Sequence, residues 1–364
     1  MILILSTQVI DEKDKSILTG SNGMKNFKLP DRYQIIKTID SHTGGEPFRI
    51  ILSGVPEPLG DTILEKRRYA KKHLDHMRKT LMFEPRGHAD MYGCFITEPV
   101  TEDADFGILF MHNEGFSTMC GHGIIAVATV AVETGFVKIN NGGQKIRIDT
   151  PAGLVTAVPN MSGNRVESVT FKNVPSFVLE LDAIVHVPEI GEVRYDLGFG
   201  GAFYAFVNAG DIGLECTPDY FSELAKKGKM IKNAIMESKI IKHPLEKDLG
   251  FLYGTIFVDF PDLDNIHSRH CCIFAEGEVD RSPTGTGVSA RLAMLNKRNE
   301  IKPGENIVIN SIINSSFKCS IKELTKVGNH DAIIPKVTGS AYITGRHEFL
   351  IDPKDPLNHG FILR

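Results

Sequence analysis

The sequence predicts a mixed α/β protein of two similar lobes. Three observations predict it: short β-rich runs alternate with helical stretches, a glycine turn opening an apolar helix occurs twice, and the two turns share flanking residues at one constant offset. At 364 residues the chain is long enough for two lobes that each bury a core. Apolar residues make up 42% and charged residues 24%, ordinary proportions for a globular protein. A formal net charge of −4 leaves no basic excess to neutralise phosphates, which argues against a nucleic-acid partner. No apolar run approaches bilayer-spanning length, so no membrane partner is expected.

The apolar opening Met1–Leu5 is too short for a secretory signal, and the acid-bearing stretch behind it is a poor mitochondrial presequence. Residues 1–32 therefore read as a flexible N-terminal tail, and the location as cytoplasmic. Gln34–Asp40 reads as a first strand, Ser41–Glu46 as a loop, and Phe48–Leu52 as a returning strand. Leu64–Leu81 reads as one charged helix, with Leu64, Tyr69, Leu74, Met77 and Leu81 at helical spacing. Met91–Thr97 and Phe106–Met111 read as strands. The turn Gly115–Gly123 then leads into the apolar helix Ile124–Val132, stopped by Gly135. The second half repeats this order: the glycine turn Gly198–Phe203, strand Tyr204–Asn208, a lysine-rich helix over Pro218–Met236, strands Tyr253–Phe260 and Cys271–Ala275, and the turn Asp280–Gly287 into helix Val288–Leu295.

Cys120-Gly121-His122-Gly123 falls on Thr284-Gly285-Thr286-Gly287 at an offset of 164 residues, and at that offset Phe110 falls on Phe274, Glu114 on Glu278 and Ala126 on Ala290. One duplication is the economical explanation, with two lobes facing across a cleft and the two turns meeting at its floor. The match is short, and two glycine-rich turns also resemble each other by chance.

The six cysteines lack zinc-type spacing and read as free thiols in a reducing compartment, with no metal site. Cys120 stands at a helix N-terminus, where unpaired N–H groups and the helix dipole lower a thiol pKa from about 8.5 toward neutrality and cradle a carboxylate. Gly121 lets the backbone approach that anion. By residue type alone, a buried structural cysteine beside a helix cap is the commoner arrangement. Thr284 opens the second such helix, and two converging N-termini make a small-anion site. Asp280 is placed to bind a cationic amine, and His122 to orient a substrate; taken singly, Asp280 and Thr284 also read as caps and His122 as a local helix-start contact. Glu84 and Arg86 read as an ion pair. Gly198–Gly201 lacks the Lys-Ser/Thr pair of a phosphate loop.

Several stretches occur together and in order: Asp40-Ser41-His42-Thr43-Gly44-Gly45-Glu46, Glu84-Pro85-Arg86-Gly87-His88, Met119-Cys120-Gly121-His122-Gly123, Asp149-Thr150-Pro151-Ala152-Gly153, Asn173-Val174-Pro175-Ser176-Phe177, Phe199-Gly200-Gly201-Ala202-Phe203, and Asp280 through Gly287. In combination, from Tyr33 to Arg364, the chain resembles the proline racemase family. The resemblance implies an α/β (α+β), diaminopimelate-epimerase-like fold of two pseudo-symmetric lobes. Each lobe would wrap a mostly antiparallel sheet around a central helix, with the active site in the cleft between them. The lobes would be residues 33–185, with 346–364 returning to them, and residues 186–345.

The resemblance further implies a cofactor-free enzyme acting on a small amino acid, with Cys120 taking the Cα proton. A homodimer is compatible with it. Racemases of the family use a second cysteine on the opposite face of the substrate, and Thr284 holds that position here. A hydroxyl is too weak an acid to replace a thiol near neutral pH. The Cys/Thr pairing therefore implies dehydration of trans-3-hydroxy-L-proline to 1-pyrroline-2-carboxylate; the alternative is a proline or 4-hydroxyproline racemase or epimerase. By the same carry-over, Gly121, His122, Gly285 and Thr286 hold the substrate, their backbone N–H groups serving its carboxylate. Asp280 takes the ring nitrogen. Tyr92 and Phe274 pack on the ring, Tyr92 standing where racemases have phenylalanine.

Overall fold

The computed structural model describes residues 29–138 and 145–363, so the tail expected over 1–32 lies outside the described residues as far as residue 28. Strands β1 (Gln34–Thr43) and β2 (Glu46–Ser53) form an antiparallel hairpin in which Thr43 pairs with Glu46. The loop expected over 41–46 is therefore mostly strand. Gly44 and Gly45, at φ 58° and 90°, make a two-residue turn that leaves the ladder intact to its tip. The helix expected over 64–81 is two helices, α1 (Ile63–His73) and α2 (Asp75–Met82), divided at Leu74 with φ −118° and ψ 9°. A capping box of Thr62 and Glu65 starts α1. The bend lets Ile63, Ala70 and Leu74 on one side, and Met77 and Leu81 on the other, reach the same apolar cluster.

Next come β3 (Tyr92–Thr97), β4 (Phe106–His112) and helix α3 (Gly121–Glu133). Every residue of β4 is buried, because both faces of the strand are covered. Leu109 and Met111 share a cluster with α1 and α2, while Ile108 and Phe110 share the main core with α3. The chain continues through β5 (Ile146–Thr150), β6 (Gly153–Ser162), β7 (Arg165–Lys172), β8 (Ser176–Val187), β9 (Gly191–Phe199) and β10 (Phe203–Asn208) to helix α4 (Phe221–Ser238). Then follow β11 (Leu252–Asp259), β12 (Ser268–Phe274), β13 (Glu278–Asp280), helix α5 (Gly285–Lys297), β14 (Asn306–Ser311), β15 (Ser316–Val327), β16 (His330–Gly339) and β17 (Ala341–Ile351).

The same succession of neighbours occurs in both halves. β2 pairs parallel with β3, β3 antiparallel with β4, β4 parallel with β5, then β5, β6 and β7 antiparallel in turn. In the second half β10 pairs parallel with β11, β11 antiparallel with β12, β12 parallel with β14, then β14, β15 and β16 antiparallel in turn. β17 flanks β1 as β8 flanks β9, and the halves are stitched where β16 pairs with β7. Helices α3 and α5 are both 13 residues long and almost wholly buried. α3 packs on β1, β2, β6, β7 and β17, and α5 on β8, β9, β10, β15 and β16.

The chain end returns to the first half. Arg86 donates to the carbonyls of Thr80, Leu357 and Asn358 rather than to the expected Glu84, whose backbone pairs with Phe361. All six cysteines are free thiols. Among the described residues, no helix is long and apolar enough to cross a membrane.

Candidate active site

Cys120 is the N-cap of α3, in extended backbone with φ −145° and ψ 109°, and its Sγ accepts the Gly123 N–H at 3.2 Å. That bond takes one of the N–H groups a helix start leaves unpaired. The His122 ring lies against the same sulfur, with Nδ1 at 3.2 Å, and Thr43 donates its hydroxyl to the His122 carbonyl at 2.9 Å. The motif Ser41–Glu46 thus braces the turn that carries the thiol. Burial lowers His122 to about 4, so its ring is neutral near pH 7.

Thr284 occupies the equivalent place on α5 but is built differently. Its backbone sits at φ 64° and ψ 90°, and its side chain makes no cap bond. A non-glycine residue held there costs about 1–3 kcal/mol and persists only where its surroundings fix it. The hydroxyl instead donates to Asp280 Oδ2 at 2.8 Å, while Asp280 Oδ1 accepts the Ser282 N–H at 2.7 Å. Asp280 therefore closes a turn, as its residue type suggested, and also presents a buried carboxylate to the cavity beside it.

The two helix starts touch. A Cβ added to Gly121 would lie 2.6 Å from the Gly285 Cα, so only glycine at both positions allows this approach. Around the contact stand Thr286, whose hydroxyl is 2.7 Å from Tyr204 Oη, and Tyr92, whose hydroxyl is 2.5 Å from Ser117 Oγ and 3.0 Å from Tyr253 Oη. Phe274 stacks on Tyr253 with ring centroids 5.4 Å apart, and its centroid lies 6.1 Å from that of Tyr92.

All nine residues expected at the site, Tyr92, Cys120, Gly121, His122, Phe274, Asp280, Thr284, Gly285 and Thr286, line one cavity. Met119, Tyr204, Tyr253 and Cys272 complete its wall, and motif reading missed these four. Cys272 had a signal: it sits two residues before Phe274 on β12 and therefore faces the same side. Met119 had one too, as the residue directly before Cys120, whereas Tyr204 and Tyr253 gave none, because they reach the cavity through strand pairings the sequence does not display. The cavity holds only about 20 Å³ for a water-sized sphere, room for a single water and not for an amino acid. A larger cavity of about 770 Å³ opens elsewhere, among Ile50, Phe95, Val127 and Val130, and contains none of these groups.

One electrostatic expectation is overturned. Burial pushes the Cys120 thiol well above its ordinary value, and the charges of Asp280 and Glu46 push the same way, against the Gly123 N–H. Desolvation outweighs the helix start, so in the closed site Cys120 is a thiol and not a thiolate. Glu46 is itself wholly buried, accepts the Arg281 N–H at 2.7 Å, and is raised well above the usual carboxylate range, first by burial and then by the charge of Asp280. Among the described residues no group of three or more His, Cys, Asp or Glu side chains is arranged to hold a metal ion.

The arrangement sets the Cys120 thiol, the Thr284 hydroxyl and the Asp280 carboxylate around two helix starts, with the Cys272 thiol on the same wall. The chain is similar to known proteins over most of its length. The sequence model for proline racemase matches residues 38–362. A trans-3-hydroxy-L-proline dehydratase of Bacillus cereus is 49% identical over 330 residues, covering 91% of this chain and 98% of that one. A 3-hydroxyproline 2-epimerase of Burkholderia multivorans is 42% identical, covering 90% and 98%. The crystal structure of a hydroxyproline epimerase from Agrobacterium vitis, with bound trans-4-hydroxy-L-proline, superposes with a TM-score of 0.87 at 32% identity, covering 92% of this chain and 96% of that one.

Proposed function

The chain belongs to the proline racemase family, and from that premise we propose that it dehydrates trans-3-hydroxy-L-proline to 1-pyrroline-2-carboxylate. The observation that carries this reading is that Thr284, and not a thiol, stands at the helix start opposite Cys120 in one cavity. Racemisation needs an acid on the far face of Cα. A substrate with a hydroxyl on C3 offers a different exit, because the electron pair left at Cα can expel it.

The mixed α/β fold supports two lobes, 33–185 with 346–364 and 186–345, in the diaminopimelate-epimerase manner, each centred on one of the helices α3 and α5. On this reading the cavity is the closed state, and the lobes part to admit the zwitterion. Its carboxylate goes to the backbone N–H groups of Gly121, His122, Gly285 and Thr286, which have no partner within their helices. Its ring ammonium goes to Asp280, and its ring lies between Tyr92 and Phe274.

Opening of the site relieves the burial that chiefly holds the Cys120 thiol up, the arriving ring ammonium offsets the Asp280 charge that adds to it, and the thiol proton passes to bulk water before the site recloses. The thiolate then removes the Cα proton, C3–O breaks, and the enamine tautomerises to the imine. Water excluded by reclosure would make each of these contacts stronger. The same reading makes the enzyme cytoplasmic, where its free thiols stay reduced, and independent of any cofactor, with a homodimer the first assembly to test.

Incubation with trans-3-hydroxy-L-proline and with L-proline in heavy water tests the assignment. Imine from the first and no D-proline from the second is expected. The relative named as an epimerase makes epimerisation the second reading, and a C2-inverted product would establish it.

A further inference from the structure

Resting on the dehydratase reading, we propose that Cys272 supplies the proton that leaves with the substrate hydroxyl, passing it through Thr284. Cys272 is almost wholly buried and lines the same cavity as Cys120 and Thr284. It is the cross-strand neighbour of Asp280, so the two side chains emerge from one face of the sheet. Burial and the charge of Asp280 raise its thiol well above the ordinary value, and the Thr284 side chain, its neighbour on the cavity wall, is the group that acts the other way. A threonine hydroxyl carries one hydrogen, and Thr284 gives it to Asp280 at 2.8 Å. Toward Cys272 the hydroxyl therefore accepts, and the chain of donors runs from the Cys272 S–H to Thr284 Oγ1–H to Asp280. Once a ring ammonium occupies Asp280, the Thr284 hydrogen is free to turn to the departing oxygen.

The chemistry needs such a donor. Hydroxide is a poor leaving group because water is a very weak acid, and threonine alone would be left as an equally unfavourable alkoxide. An ordinary thiol, titrating at about 8.5, is a far stronger acid than an alcohol or water in the same surroundings, and the burial that raises Cys272 disfavours the anion of either of those as well. The step balances. The Cα–H pair becomes the Cα=C3 bond, the C3–O pair goes to oxygen, Thr284 protonates that oxygen to water, and Cys272 reprotonates Thr284. Cys120 gains a proton as Cys272 loses one, so the site's net charge is unchanged, and the proton returns from Cys120 to Cys272 when product departs. The second acid of the racemases is thus not lost but set one residue back, behind the hydroxyl.

Substrates with different leaving groups test this. Fluoride departs without a proton, so trans-3-fluoro-L-proline does not need the relay. Cys272→Ala should slow dehydration of trans-3-hydroxy-L-proline by about 10²-fold, in the range of general-acid contributions, while changing fluoride release less than threefold. In heavy water the variant should still exchange the Cα hydrogen of the hydroxy substrate at the wild-type rate, returning deuterated substrate in place of product. Cys272→Ser should fall between the two. Cys271→Ala, equally buried on the opposite face of β12, is the control and should stay near wild type. Equal losses on both substrates, loss of Cα exchange in parallel with dehydration, or no loss of dehydration would each overturn the proposal. The underlying reading fails separately: Cys120→Ala should abolish fluoride release, dehydration and exchange together, and persistence of all three in that variant would sink the dehydratase mechanism itself.

Discussion

Gly121 and Gly285 stand back to back, each so close to the other that a methyl group on either would come within 2.6–2.8 Å of the opposite Cα. This contact sets the spacing of the two helix starts and hence the distance between Cys120 and Thr284, the residues just ahead of them.

Gly285→Ala should force α3 and α5 apart. Overpacking costs about 1–3 kcal/mol, and displacing reacting groups by about 1 Å costs on the order of 10² in rate. The expected variant is folded, with a modestly lower Tm and kcat down at least a hundredfold. A kcat within threefold of wild type would show that the helix starts need not touch.

Cys120→Ser should retain the fold, because serine can accept the Gly123 N–H at the N-cap position. Its turnover should fall by more than about 10²-fold, since an alcohol is a far weaker acid than a thiol and yields a base only at extreme pH. Thermal unfolding measured beside steady-state imine formation separates the two effects.

Thr284→Cys places a thiol at the second helix start, opposite Cys120. Proton return to the far face should appear as C2 inversion of hydroxyproline in heavy water, at the expense of imine. The variant must hold the backbone at φ 64°, so some loss of stability accompanies the change. An unaltered product ratio would remove Thr284 from the chemistry.

His122 makes stability pH-dependent. Its folded value is depressed from 6.5 to about 4 by burial, so between those values the unfolded chain binds the extra proton. The stability this protects is fully present above pH 6.5 and is lost as the pH falls toward 4, a total of roughly 3 kcal/mol at 1.36 kcal/mol per unit. Urea unfolding at pH 7, 5.5 and 4.5 should show this acid limb, and His122→Gln should flatten it.

Much of this site was legible because its parts are local. Cys120 and Thr284 each precede a Gly-x-Gly turn and an apolar run, so helix position and glycine contact could be read from spacing, and the structure brings the two turns together. Tyr253 and Tyr204 were not legible. They reach the cavity through strands β11 and β10, whose pairing depends on residues nearly fifty positions apart. The break at Leu74 was hidden because the apolar spacing on either side of it is that of one helix. The thiol's protonation was misread for a different reason: a helix start is visible in a sequence, whereas the depth at which it is buried is not.

The closed site also protects its own sulfur. Thiolates, not thiols, react with peroxide and disulfides, and reaction requires access. Cys120 at rest is a protonated group only 4% exposed, so an oxidant meets no nucleophile there. Vulnerability then follows catalysis: the enzyme is inactivated fastest while it is working, and an idle population survives an oxidising episode with its sulfur intact.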